Sequence, residues 1–149
     1  MNADLLLGRS YPPTEPYLVG REKVREFARA VFSTDPLSLD PAAARAAGFA
    51  DVVAPPTFGV LLQELTLRQL LADPEVGIEL SHLVHGEQAF ALARPIVAGD
   101  ELTAAMTITG VRELGGNTMV TADTVVTDAA GEHVLTATST LVVRGEAAA

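Results

Sequence analysis

The sequence predicts an α+β fold in which a curved antiparallel sheet wraps one long central helix. Two patterns carry that prediction. Across residues 58–72 apolar side chains recur at helical spacing and leave almost no polar face. From about residue 83 onward the apolar period falls to two, in runs of strand length separated by turn residues. A helix too apolar for solvent, beside several half-buried strands, is satisfied when the strands curl around it. The 149 residues fit one domain spanning 1–149, long enough for a core without disulfide staples.

Each element follows from local chemistry. Residues 1–20 read as an extended lead-in. The run Ser10-Tyr11-Pro12-Pro13-Thr14 is too proline-rich for a central strand, because proline lacks the ladder N–H. A helix is predicted over 21–31, with Val24, Phe27, Ala28 and Val31 on one face and Glu22, Lys23, Glu26 and Arg29 on the other. Pro36 ends that region. Asp40-Pro41 opens a short helix through Ala47, with Gly48 as its stop.

Ala54-Pro55-Pro56-Thr57 then defines the start of the central helix, with Thr57 as the cap. Phe58, Leu61, Leu62 and Leu65 form its stripe, widened by Leu67, Leu70 and Leu71. Gln63, Glu64, Arg68 and Gln69 supply its polar positions, and Pro74 ends it after about 22 Å. Four antiparallel strands follow. The first covers 83–93, where Gly86 eases a bulge or a close backbone approach. In the second, Leu102, Ala104, Met106 and Ile108 alternate with polar or small residues. The third covers 118–127. The fourth runs over 133–143, with Leu135, Ala137, Ser139, Leu141 and Val143 toward the core. Gly115-Gly116-Asn117 and 128–131 supply the turns.

Composition excludes several function classes. Ten Lys+Arg against nineteen Asp+Glu give a net charge of -9, which repels phosphate backbones and anionic membranes, so no nucleic-acid or membrane partner is expected. Without cysteine there is no thiolate nucleophile and no cysteine-ligated metal. No apolar run reaches the roughly 18 residues of a membrane span. No basic segment leads into an apolar one at the start, so a cytoplasmic location is expected. His82, His85 and His133 lack metal-ligand spacing. His82 and His85, three apart in extended chain, should point to opposite faces, and His133 should be exposed. No glycine sits in a phosphate-binding context, so no cofactor is implied.

A family resemblance enters through motifs in order along nearly the whole chain. Gly8-Arg9-Ser10-Tyr11, Tyr17 and the run from Gly20 to Ala28 open it. Ala54-Pro55-Pro56-Thr57-Phe58, Val84-His85-Gly86-Glu87-Gln88 and Arg94-Pro95-Ile96-Val97-Ala98-Gly99-Asp100 continue it. Together they resemble the MaoC-like (R)-specific hydratases and dehydratases of actinobacterial fatty-acid elongation, a group with the hot-dog fold. The resemblance implies a loop of the form Asp-x-Asn-Pro-x-His in catalytic members. Here Ser33 stands at the Asp position, Asp35 at the Asn, Pro36 at the Pro and Ser38 at the His. Dehydration needs a base at C2 and an acid for the departing hydroxyl, and serine is neither without a neighbouring base.

By this resemblance the chain is similar to the non-catalytic subunits of (3R)-hydroxyacyl-ACP dehydratase. It would bind the acyl group of an acyl-carrier-protein or coenzyme A thioester, in a heterodimer whose partner brings the Asp and His. The alternatives are a homodimeric hydratase using Asp35 or a residue from elsewhere in the fold, and a non-enzymatic acyl-thioester binder. Candidate substrate-binding residues are Pro56 and Thr57 at the helix start, Gly59 in its first turn, His85 and Gly86 on the first long strand, and Arg94. His85 would line the ligand or hydrogen-bond a loop. Gly59 would mark a close approach across a dimer, room for a thioester, or a local imperfection. Arg94 would meet a carrier's phosphate or acidic surface, or form a surface salt bridge.

Overall fold

The computed structural model describes residues 3–145, so the ends of the 1–149 span lie outside the described residues. After a short 3₁₀ turn at Ala3–Leu5, the lead-in runs beside the sheet. The amides of Gly8, Tyr11 and Thr14 donate to the carbonyls of Ile108, Met106 and Ala104, each at 2.9 Å. Pro12 and Pro13 fall between those donors, where no N–H is required. The lead-in also contains a strand that the sequence reading did not predict, β1 (Tyr17–Leu18).

Helix α1 (Arg21–Ala30) buries Val24 and Ala28 and sets Phe27 edge-on to Phe58, with ring centroids 5.3 Å apart. Val31, expected on that face, is instead the C-cap residue and 44% exposed. The helix closes in a Schellman turn: Ser33 N–H donates to Ala28 O at 2.8 Å and Phe32 N–H to Arg29 O at 3.1 Å. Phe32 takes the left-handed position of that turn, φ 57°, with its side chain 92% exposed. Pro36 begins a helical turn rather than ending one. It opens α2 (Pro36–Leu39), where Asp35 Oδ1 accepts from Leu37 N–H at 2.9 Å. Asp40 caps α3 (Pro41–Ala46) in the same way, and Gly48, φ 94°, follows its end.

The central segment departs from the expected single helix. Residues Pro56–Gly59 form a 3₁₀ turn, and α4 (Val60–Leu71) follows it. Thr57 caps nothing: Pro55 is the residue that precedes the turn, and Thr57 lies exposed inside it. The buried positions of α4 are Leu62, Gln63, Thr66 and Leu70, so Gln63 is interior and not part of the polar edge. A 3₁₀ turn advances through three residues where an α-helix uses 3.6. Phe58 is nevertheless buried with Leu62 in one core cluster, as the predicted stripe required.

The strands are β2 (Leu83–Leu92), β3 (Glu101–Leu114), β4 (Asn117–Asp128) and β5 (His133–Val143). They form one antiparallel sheet in the order β1-β3-β4-β5-β2. Gly115 and Gly116 turn β3 into β4 with φ of 60° and 78°, and Asp128 Oδ1 holds the next turn through the amides of Ala130 and Glu132. The predicted alternation holds: Leu102, Ala104, Met106 and Ile108 are buried on β3, as are Leu135, Ala137, Ser139, Leu141 and Val143 on β5. The bulge expected at Gly86 lies between His85 and Glu87. His82 sits in a 3₁₀ turn at Leu80–His82, not in extended chain, and His133 is exposed. No helix among the described residues is long and apolar enough to cross a membrane.

Candidate functional site

The Schellman turn after α1 throws Ser33 sideways, and the two Asp-Pro caps that follow fold the chain back toward α4. This loop is pinned from below, because Val53 N–H donates to Leu37 O at 2.9 Å and Ala54 N–H to Ile96 O at 2.8 Å. The result is a cleft of about 330 Å³ open to solvent. Ser33, Asp35 and Ser38 line one side, Pro55 and Pro56 the floor, and the stretch from Leu92 to Pro95 the other side.

Each polar side chain in the cleft has at least one protein partner. Ser33 Oγ accepts from Asp35 N–H at 3.3 Å. Ser38, 3% exposed, donates its hydroxyl to Val53 O at 2.6 Å. Asp35, the weak catalytic candidate, caps α2 through Oδ1 and lies exposed at the cleft's edge. Arg94 pairs with Asp100 at 2.7 Å and Asp128 at 3.1 Å; the bond to Asp100, with that to Asp128 behind it, holds the guanidinium charged. Asp128 is held below the usual carboxylate range by the Glu132 amide first and by Arg94 second. Neither serine hydrogen-bonds a base that would activate it. The cleft therefore offers shape, the Arg94 guanidinium with its two carboxylate partners, the exposed Asp35 carboxylate and the first residue of the 3₁₀ turn that leads into α4.

The other expected site residues lie elsewhere. Thr57 is exposed beside the cleft's floor. Gly59 is buried where the backbone meets the sheet: a Cβ there would lie 3.0 Å from Leu135 Cδ2 and 3.4 Å from Phe90 Cδ1. That close approach is within this chain. A Cβ at Gly86 would lie 3.2 Å from Thr140 O, so the bulge packs directly on β5. His85 borders a second, smaller pocket midway along α4, together with Gln63 and Ser139. The sequence reading singled out neither of those two residues. Thr66, four positions after Leu62 on the same helical face, was the available signal that polar side chains enter the core there. Among the described residues no cluster of three or more His, Asp or Glu side chains is placed to hold a metal ion.

Comparison with known proteins places this geometry. The family described as "FAS1-like, dehydratase domain region" matches residues 6–137. A UPF0336 protein of Leifsonia xyli subsp. xyli is 64% identical over 95% of both chains. Among solved structures, a chain of the HadBC (3R-hydroxyacyl-ACP dehydratase) complex from Mycobacterium tuberculosis is 35% identical. It superposes with a TM-score of 0.82 over 92% of this chain and 96% of that one. A MaoC-like dehydratase is 37% identical with a TM-score of 0.85, over 97% of this chain and 44% of that one.

Proposed function

This chain belongs to the FAS1-like dehydratase domain region family and has the hot-dog fold of MaoC-like dehydratases, and from that premise we propose that it is a partner-dependent subunit. It binds the acyl group of a (3R)-3-hydroxyacyl thioester, carried by acyl-carrier protein or coenzyme A, and a second hot-dog chain supplies the acid–base pair. The observation that carries the reading is the cleft itself. Both positions where the resemblance calls for Asp and His hold serines, and Ser38 is built into the fold through Val53 O.

In the proposed reaction the partner's base takes the proton from C2, the C3–O bond breaks, and the partner's acid protonates the departing hydroxyl. The products are the trans-2-enoyl thioester and water. This chain contributes apolar surface along α4 and β2, where each buried methylene adds about 0.8 kcal/mol. Among the described residues strand β2 ends the sheet with its outer edge unpaired, and it carries the exposed Val84 and Leu92. A ten-residue free edge favours pairing with another strand, which supports a heterodimer through this side.

The test is hydration of a short trans-2-enoyl thioester, followed by loss of enoyl absorbance, by this chain, by a MaoC-like chain bearing Asp and His, and by their mixture. Activity in the mixture well above either protein alone is expected. Substantial turnover by this chain alone would overturn the proposal.

A further inference from the structure

Midway along α4 the core changes character. Leu62 belongs to an apolar cluster at the cleft end and Leu70 to another at the far end, and Gln63 and Thr66 lie between them. The strands repeat the pattern. Thr124 separates Ala122 from Val126, and Ser139 separates Ala137 from Leu141. A polar belt thus crosses the core from helix to sheet. Thr66 and Thr124 meet hydroxyl to hydroxyl at 3.2 Å, and Thr66 also donates to Gln63 O at 2.8 Å. Gln63 Oε1 and Ser139 Oγ have no protein partner, although their residues are only 4% and 0% exposed. Both border the same pocket of about 40 Å³, which reaches His85 on β2. Buried polar atoms seldom go unpaired, and roughly 10–15 Å³ of such space accommodates a water molecule.

We propose that this pocket holds bound water on Gln63 and Ser139 and acts as a polar end-stop, restricting the assembly to short-chain 3-hydroxyacyl thioesters. The inference rests on the acyl-binding reading above. An acyl chain that starts beside Pro56 and Leu92 and lies parallel to α4 reaches the level of Gln63 after roughly 12 Å of helix axis. A four-carbon acyl group ends before that level; a twelve-carbon group passes it. Hydrocarbon entering the pocket displaces the water and leaves two buried polar atoms facing methylenes, each worth on the order of tenfold in affinity. Gln63 and Ser139 determine specificity and touch no reacting atom.

The test compares four- and twelve-carbon trans-2-enoyl thioesters with the mixture of this chain and its dyad-bearing partner, using wild type and the Gln63→Leu/Ser139→Ala double variant. The twelve- to four-carbon ratio of kcat/KM is expected to rise at least tenfold in the variant. An unchanged ratio, with the wild-type mixture active on the four-carbon thioester, overturns the end-stop and leaves the subunit reading intact. A mixture no faster than the partner alone on the four-carbon thioester overturns the subunit reading and the end-stop with it. A crystal structure of the wild-type chain gives an independent arm. Water within hydrogen-bond distance of both Gln63 Oε1 and Ser139 Oγ is expected, and a dry pocket overturns the end-stop whatever the kinetics.

Discussion

The cleft beside the turn that leads into α4 and the pocket midway along α4 both touch the edge strand β2, yet their polar groups stand in opposite states. In the cleft, Ser33, Asp35, Ser38 and Arg94 all have protein partners. In the pocket, Gln63 Oε1 and Ser139 Oγ have none. The serines at the positions where the resemblance calls for Asp and His are bonded into the scaffold here. The uncommitted hydrogen-bonding capacity has moved about two turns along the helix. A buried polar atom without a partner calls for an explanation that a paired one does not.

The largest effect that would test this contrast is a gain of function. Ser33→Asp with Ser38→His should raise hydration of a short enoyl thioester by this chain alone by about 10²-fold or more, read from single-protein kinetics. No gain would mean that the loop, fixed through Val53 O, cannot seat an imidazole. Next, Ser38→Ala should destabilise the chain by about 1–3 kcal/mol in denaturant unfolding, because Val53 O loses its donor. An unchanged midpoint would show that Ser38 is not structural. Beside it, Phe32→Gly should stabilise by about 1 kcal/mol, since glycine takes the left-handed position without strain.

In the pocket the expected effect is smaller than that of Ser38→Ala. Gln63→Leu with Ser139→Ala should stay within about 1 kcal/mol of wild type, because no protein hydrogen bond of either changed atom is lost. A loss of several kcal/mol would show that both atoms are paired after all. The smallest effect is expected from pH. The hydrogen bonds from Arg21, and then the Val52 amide, hold the Asp51 carboxyl down at about 2 from an ordinary 3.8. A depressed carboxylate stabilises the fold above its unfolded value, and that contribution fades as pH falls from about 4 toward 2. The difference in melting temperature between wild type and Asp51→Asn should therefore be largest near neutrality and shrink at pH 2–3. A difference that does not change with pH would detach it from Asp51 ionisation.

Much of the fold was legible because strand periodicity is a short-range signal. The 133–143 strand, the β3 alternation and the Gly86 bulge all follow from side chains that must point to one face or the other. What escaped reading depended on phase and on partners. Thr57 failed as a cap because the chain enters α4 through the 3₁₀ turn at Pro56–Gly59, and Gln63, read as part of the polar edge, is buried. Asp35 reads as a spare carboxylate until its bond to Leu37 N–H is seen, and Pro36 reads as a stop until that cap makes it a start. The motif match brought Ser33, Asp35, Ser38, Pro56 and Arg94 to one cleft. His85 went to the other pocket because the bulge at Gly86 sets it against Leu141, well along β2 from Leu92.

The belt through Thr66, Thr124 and Ser139 also partitions the interior. Apolar side chains reinforce one another within the group around Phe58 and Leu135 and within the group around Leu70 and Ile108, while hydroxyls face each other at the boundary. Amide exchange in such a molecule is expected to resolve two protected neighbourhoods with separate opening free energies. One end can then tighten around a guest while the other continues to breathe.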